Sequence, residues 1–349
     1  MGELIETTVD SEIARYYLEN YLQNQKPQVA FDKKINTFNR EYANRPLNRE
    51  DLKQLSVLTS VDFAALFWAE HLYQNEKNRK LQDLFQEKLS ALRAMGFAAL
   101  VIPNRDCCVL LFVPAWDYTK TGMMTGSDLS RPMRIANNLG IESVFVPINP
   151  HGAVEENAVF ISQTIQSYAT SKKDIILVGP SSAGPAIHLS LAHKLSPKTQ
   201  KRVKAWVNLA GILQGTPLVD HYQKWFRVWF LKLALWWEAW EKENVLSLSM
   251  EKSRVRFEGL SLPQDLLVIN YIGLSLSGDI TPFAAERYVM LRSEGPNDGL
   301  TLLPDSLAPE SRSILALRSD HFFNEDPEIT LKTIALMQVL FEVLAPEDL

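Results

Sequence analysis

DIILVGPSSAGPAIHLSLAHKL, residues 174–195, reads as a strand, a tight turn and a helix in immediate succession. DIILVG is a short apolar run rich in branched residues, the composition of a strand buried on both faces. A run of small residues follows, and behind it an apolar-striped helix pattern begins. A serine on a sharp strand-to-helix turn is exposed at the end of a sheet, and the crowding there requires small residues two positions to either side. Ser181 meets this with Gly179 before it and Ala183 after it. Ser182 would have Pro180 and Gly184, and a pyrrolidine ring suits that turn less well, so Ser181 is the expected nucleophile. The helix start behind it offers free N–H groups, and the amide of Ser182 is the expected first donor of an oxyanion hole.

Working outward, FAALVIP (97–103) and CVLLFVP (108–114) are apolar runs separated by Asn104, Arg105 and Asp106, and they read as two adjacent strands. Further strands are expected at 143–148, 203–211 and 266–274, and an apolar strand-like run precedes His321. Helices are expected around 130–139, 156–169 and 182–195. Strands apolar on both faces, alternating with helices, imply a parallel sheet covered on both sides, an α/β fold. Residues 1–95 read instead as a helical N-terminal extension. Asn48 with Asp51, and Thr59 or Ser60, mark helix starts, and Leu81, Leu84, Phe85, Leu89 and Leu92 recur at helical spacing. The main domain is then 96–349.

A serine hydroxyl needs a histidine to take its proton and a carboxylate to orient that histidine. Of six histidines, His71, His151, His188, His193 and His221 read as surface or packing residues. His188 and His193, five apart, do not share a helix face, so no metal pair is expected. His321 lies between a strand-like run and the final helix, where a loop can carry it over the sheet. Asp298, in the turn Pro296-Asn297-Asp298-Gly299, lies 23 residues before it and is the expected acid. Asp305 and Asp279 are the competing acids, and an Asx turn alone would explain Asn297-Asp298-Gly299.

LVGPSSAG, then Gly215-Thr216-Pro217-Leu218-Val219-Asp220, then Asn297-Asp298-Gly299, then SDHFF resemble the successive signature segments of α/β-hydrolase lipases and esterases of bacteria. The resemblance covers roughly residues 97–349. It implies the α/β-hydrolase fold, a triad of Ser181, Asp298 and His321, and a helical cap or lid inserted at about 217–262. It also implies a serine hydrolase acting on carboxylic esters through an acyl-enzyme. A thioesterase, an acyltransferase or a non-catalytic binding protein on the same fold are the alternatives. The family's His-Gly pair after the third strand is replaced by Pro114 and Ala115, so the second oxyanion donor falls by position on the amide of Trp116, or of Ala115.

Five of the eight tryptophans fall in HYQKWFRVWFLKLALWWEAWEKE, residues 221–243. Trp225, Trp229, Trp236 and Trp237 follow helical spacing and form a broad apolar stripe. It reads as a buried cap helix or as a lid that lines an acyl pocket and touches a lipid surface transiently. The composition is that of an ordinary globular protein, 46% apolar and 22% charged, and its formal net charge of −5 argues against nucleic acid as a partner. The substrate is expected to be a small-molecule or lipid ester, with no cofactor or metal. Cys107 and Cys108 are adjacent and poorly placed to bond each other. With no basic start and apolar core at the amino terminus and no run long enough to span a bilayer, a cytoplasmic location is expected.

Overall fold

The computed structural model describes residues 6–43, 45–223 and 241–345. Six strands form one sheet: β1 (Cys108–Phe112), β2 (Ser143–Phe145), β3 (Asp174–Pro180), β4 (Val203–Leu209), β5 (Leu267–Leu274) and β6 (Arg312–Leu317). Their order is β2-β1-β3-β4-β5-β6, and every pairing is parallel. Side chains alternate between faces along each strand. Leu110, Phe112, Val178, Val207, Tyr271 and Ile314 face one side, where the helices Glu76–Met95, Ser130–Asn138 and Ile329–Leu344 cover them. Val109, Leu111, Ile175, Leu177 and Trp206 face the other, under the helices Val154–Tyr168 and Ala183–Leu189. The α/β expectation holds, with helices on both faces.

The N-terminal helices are α1 (Glu12–Glu19), α2 (Val29–Tyr42), α3 (Arg49–Leu58), α4 (Val61–Gln74) and α5 (Glu76–Met95). Asn48 caps α3, and its side chain and that of Asp51 satisfy each other's backbone N–H reciprocally. Phe63, Phe67 and Trp68 of α4 share a core with Ile272, Leu274 and Leu315, so this layer covers the β5–β6 end of the sheet. On the opposite face α5 packs along β6. Gln82 of α5 accepts from Leu315 N–H (2.7 Å) and donates to Leu315 C=O (3.3 Å), and Asn78 accepts from Ser313 N–H (2.9 Å). These amides occupy the free edge of the last strand as a neighbouring strand would.

One sequence expectation fails. Residues 97–103 are not a strand; Gly96–Ala99 is a 3₁₀ turn. β1 already has β2 and β3 as neighbours and α5 occupies the edge of β6, and the run does not pair with the remaining edge, at β2. Left-handed backbone at Gly96 (φ 58°) and Asn104 (φ 51°) breaks the chain on either side. Leu100 and Ile102 pack on the core instead, and Gln338 of the C-terminal helix donates to the Val101 carbonyl (3.3 Å). A short apolar run looks the same in a sequence whether it pairs or merely packs.

Candidate active site

The sheet order reverses between β1 and β3, and the carboxyl ends of these two strands flank a crevice of the kind in which open α/β sheets bind ligands. Ser181 sits directly after β3, with φ of 49°. This left-handed geometry is costly for a residue with a side chain and lifts the hydroxyl off the sheet. The turn has room only for small neighbours. A Cβ at Gly179 would collide with Ile187 Cδ1 and lie 3.1 Å from Ala183 Cβ.

His321 follows β6 on a loop whose backbone is tied to the acid, since its N–H donates to the Asp298 carbonyl (2.8 Å). Its Nδ1–H donates to Asp298 Oδ2 (2.8 Å), and the Ser181 hydroxyl lies 2.9 Å from Nε2, the ring nitrogen left to accept. Asp298 is fully buried, and its other oxygen accepts from Leu300 N–H (2.9 Å) and Thr301 N–H (2.8 Å). The Asx turn is real, and its free oxygen serves the histidine. The Gly215-Thr216-Pro217 segment braces this turn: Thr216 Oγ1 donates to the Leu300 carbonyl (2.5 Å) and Thr301 Oγ1 to the Gly215 carbonyl (3.4 Å).

The competing acids lie elsewhere. Asp279 accepts from Arg318 Nε (3.1 Å) and Thr7 Oγ1 (2.7 Å). Asp305 is buried 3.6 Å from Arg49, and burial pushes its carboxyl up to about 7, partly offset by that guanidinium. His188 stacks on Trp206 and meets Phe257 edge-on; burial, then His193, brings its imidazole down to about 4.

The candidate oxyanion donors are arranged differently from the sequence expectation. Ala115 N–H donates to the Ser127 carbonyl (3.0 Å), which removes it from the choice. Trp116 N–H donates to Ser182 Oγ (2.8 Å). Sequence reasoning gave Ser182 only a backbone role and missed this side chain. His151, expected as a surface or packing residue, packs its ring on Trp116 and places Nε2 2.8 Å from Asp117 Oδ1. A Trp-Asp pair on the loop after β1 carries no such signal by itself, because its partner comes from the loop after β2.

A cavity of about 810 Å³ opens at Ser181 and His321. It runs between the sheet face and the helices Ser130–Asn138 and Ile329–Leu344, lined by Val178, Val207, Tyr271, Met337 and Leu340 among others. Trp225, Trp229, Trp236 and Trp237, the expected lid, lie outside the described residues. Among the described residues no helix is long and apolar enough to cross a membrane.

No protein-family model matches this sequence, and no curated protein matches it by sequence. Solved structures do. A metagenomic carboxyl esterase matches with a TM-score of 0.54 at 17% identity, over 68% of this chain and 76% of its own. The Bacillus licheniformis lipase BlEst2 in mature form matches with a TM-score of 0.52 at 17% identity, over 70% of this chain and 94% of the lipase. Its propeptide form matches with a TM-score of 0.53 at 16% identity, over 67% of this chain and 51% of that one. With six parallel strands in this order, helices on both faces and Ser181 on the turn after β3, the chain has the α/β-hydrolase fold of these bacterial esterases and lipases.

Proposed function

We propose that the chain is a serine hydrolase that cleaves carboxylic esters through an acyl-enzyme on Ser181. The observation that carries this reading is the unbroken hydrogen-bonded series from Asp298 through His321 to Ser181. Ser181 Oγ attacks the ester carbonyl carbon while its proton passes to His321 Nε2 and the carbonyl electron pair moves onto oxygen. Asp298 holds the ring in the tautomer that can accept and stabilises the imidazolium that forms. Collapse expels the alcohol, which takes the proton from His321 and leaves the acyl group on Ser181. Water then repeats the two steps and releases the acid.

The cavity supports an apolar acyl group as the part of the substrate that is held. Ile329 to Leu340 spans about 16 Å of helix at about 1.5 Å per residue. An extended hydrocarbon advances roughly 1.3 Å per carbon, given C–C bonds of about 1.5 Å, so about a dozen carbons match that length. The tryptophan-rich segment from 225 to 237 is proposed to meet the lipid surface from which such an ester comes.

A fluorophosphonate probe tests the assignment. The unaltered protein is expected to take one label, mapped by mass spectrometry to Ser181, and Ser181→Ala to take none while losing several orders of magnitude in ester turnover. A label on another serine, or none, would overturn it.

A further inference from the structure

We propose that the hydroxyl of Ser182, and not the amide of Trp116, is the second donor to the oxyanion. The proposal rests on the hydrolase reading above and adds a reacting group to it. The Trp116 N–H points at Ser182 Oγ from 2.8 Å, the length of a good hydrogen bond, so this amide is already engaged before a substrate arrives. The consequence for Ser182 is chemical. A hydroxyl has one hydrogen to give and two lone pairs to accept with. Here a lone pair is committed to Trp116, which fixes where the oxygen sits. The hydrogen has no acceptor among the described residues, and Ser182 lines the cavity into which Ser181 and His321 open.

Ser182 thus keeps two hydrogens to give, its backbone N–H and its O–H. Neither has an acceptor among the described residues. Both belong to the residue directly after Ser181, the residue that carries the attacked carbon and its oxygen. As the oxygen becomes negative it accepts from the two donors together, with no bond to Trp116 broken on the way. The chain Trp116 N–H to Ser182 O–H to oxyanion also polarises in one direction, so each bond strengthens the next. Trp116 is then a positioning residue. Its loop is held by Asp117, whose N–H donates to the Pro150 carbonyl (2.9 Å) and whose carboxylate meets His151. The alternative, in which the hydroxyl swings out and hands the Trp116 N–H to the oxyanion, leaves a buried-side donor to be unpaired and re-paired in every turnover.

The two arrangements predict opposite signs for one substitution. Ser182→Ala and Ser182→Thr are to be compared with the unaltered protein on p-nitrophenyl butyrate and on a trifluoromethyl ketone, which forms a hemiketal oxyanion with the nucleophile. If the hydroxyl donates, Ser182→Ala lowers kcat by roughly 10²–10³-fold, as when one such donor is removed. KM changes little, the ketone loses affinity by a similar factor, and Ser182→Thr restores both. If the hydroxyl is only a cap over the Trp116 N–H, Ser182→Ala keeps or raises kcat and binds the ketone as well or better, which overturns the proposal. A fall in Tm with kcat and ketone affinity unchanged would reduce Ser182 to a tether for the loop and also overturn it. Fluorophosphonate labelling of the unaltered protein at Ser181 is read first, because its failure removes the hydrolase reading and is recognisable as such.

Discussion

The pair Asp298 and Asp305 shows how far burial alone is from function. Both carboxyls are sealed from water, at 0% and 3% exposure, and both lie between β5 and β6, where the sequence places the acid. Asp298 is met by two backbone N–H groups and the imidazole, whereas Asp305 has one oxygen without any hydrogen-bond partner and a guanidinium 3.6 Å away. Asp298→Asn is therefore expected to lower kcat by roughly 10³–10⁴, because the amide can hold the imidazole in the wrong tautomer, with a circular dichroism spectrum unchanged. Asp305→Asn should act on stability instead. Its carboxyl sits at about 7 in the folded protein and near 3.9 when unfolded. Between those values the folded state keeps a proton that the unfolded state has lost, so stability falls as pH rises from about 4 to about 7 and the full penalty persists above. The amide removes that penalty, on the order of a few kcal/mol. Urea denaturation should show Asp305→Asn gaining more over the unaltered protein at pH 8 than at pH 4.5; equal gains would mean that Asp305 does not hold its proton. The sequence made Asp298 and His321 legible through their order and turn chemistry. It could not make the Ser182 hydroxyl legible, since hydroxyl direction depends on where the loop after β1 folds back.

Element by element, the run that failed to form a strand and those that did differ in their neighbours more than in their composition. CVLLF has a partner on each side, while the run at 97–103, equally apolar, pairs with no strand and packs on the core through Leu100 and Ile102. Period alone cannot separate a run that pairs from one that only packs. The helical pattern of Leu81, Leu84, Phe85, Leu89 and Leu92 was readable, and four of the five are buried against the sheet face. The polar residues between them were harder to read, because a buried glutamine at the margin of a leucine stripe looks like a surface residue. Gln82 is 2% exposed and bonds both the N–H and the C=O of Leu315. Gln82→Leu, which keeps the volume and removes both bonds, should then cost about 2–4 kcal/mol, since two buried backbone groups of an edge strand lose their partners. Urea denaturation measures this, and light scattering should show added self-association through the uncovered edge. A loss below about 0.5 kcal/mol would mean that water replaces the amide and the edge was not sealed by it.

At the scale of the whole molecule, the reversal of strand order brings the loops after β1 and β3 to one crevice, and the loop after β6 delivers His321 to it. Among the described residues the same architecture leaves this sheet face incompletely filled. Val178, Val207 and Tyr271 on the sheet and Met337 and Leu340 on the C-terminal helix line open space where a closed core would interdigitate. That space is costly to keep empty and continuous with Ser181, which is why it supports an acyl chain as occupant. Ile329 is the first and Leu340 the last residue of this helix to line the space. Leu340→Trp should shorten the accommodated chain by about four carbons while adding apolar contacts around its own ring. At roughly 0.8 kcal/mol per buried methylene, four methylenes correspond to about 3 kcal/mol, an upper limit near 200-fold in kcat/KM. The ratio of kcat/KM for the twelve-carbon p-nitrophenyl ester to that for the four-carbon ester is expected to fall at least tenfold, with the optimum moving to shorter chains. Met337→Phe, a smaller change nearer the middle, should lower the same ratio less. Tm is measured for both, because a ring that overpacks the core would lower it and depress the two esters alike. If the ratio holds in both variants at normal Tm, the chain lies outside this cavity, and the tryptophan segment at 225–237 becomes the surface to probe.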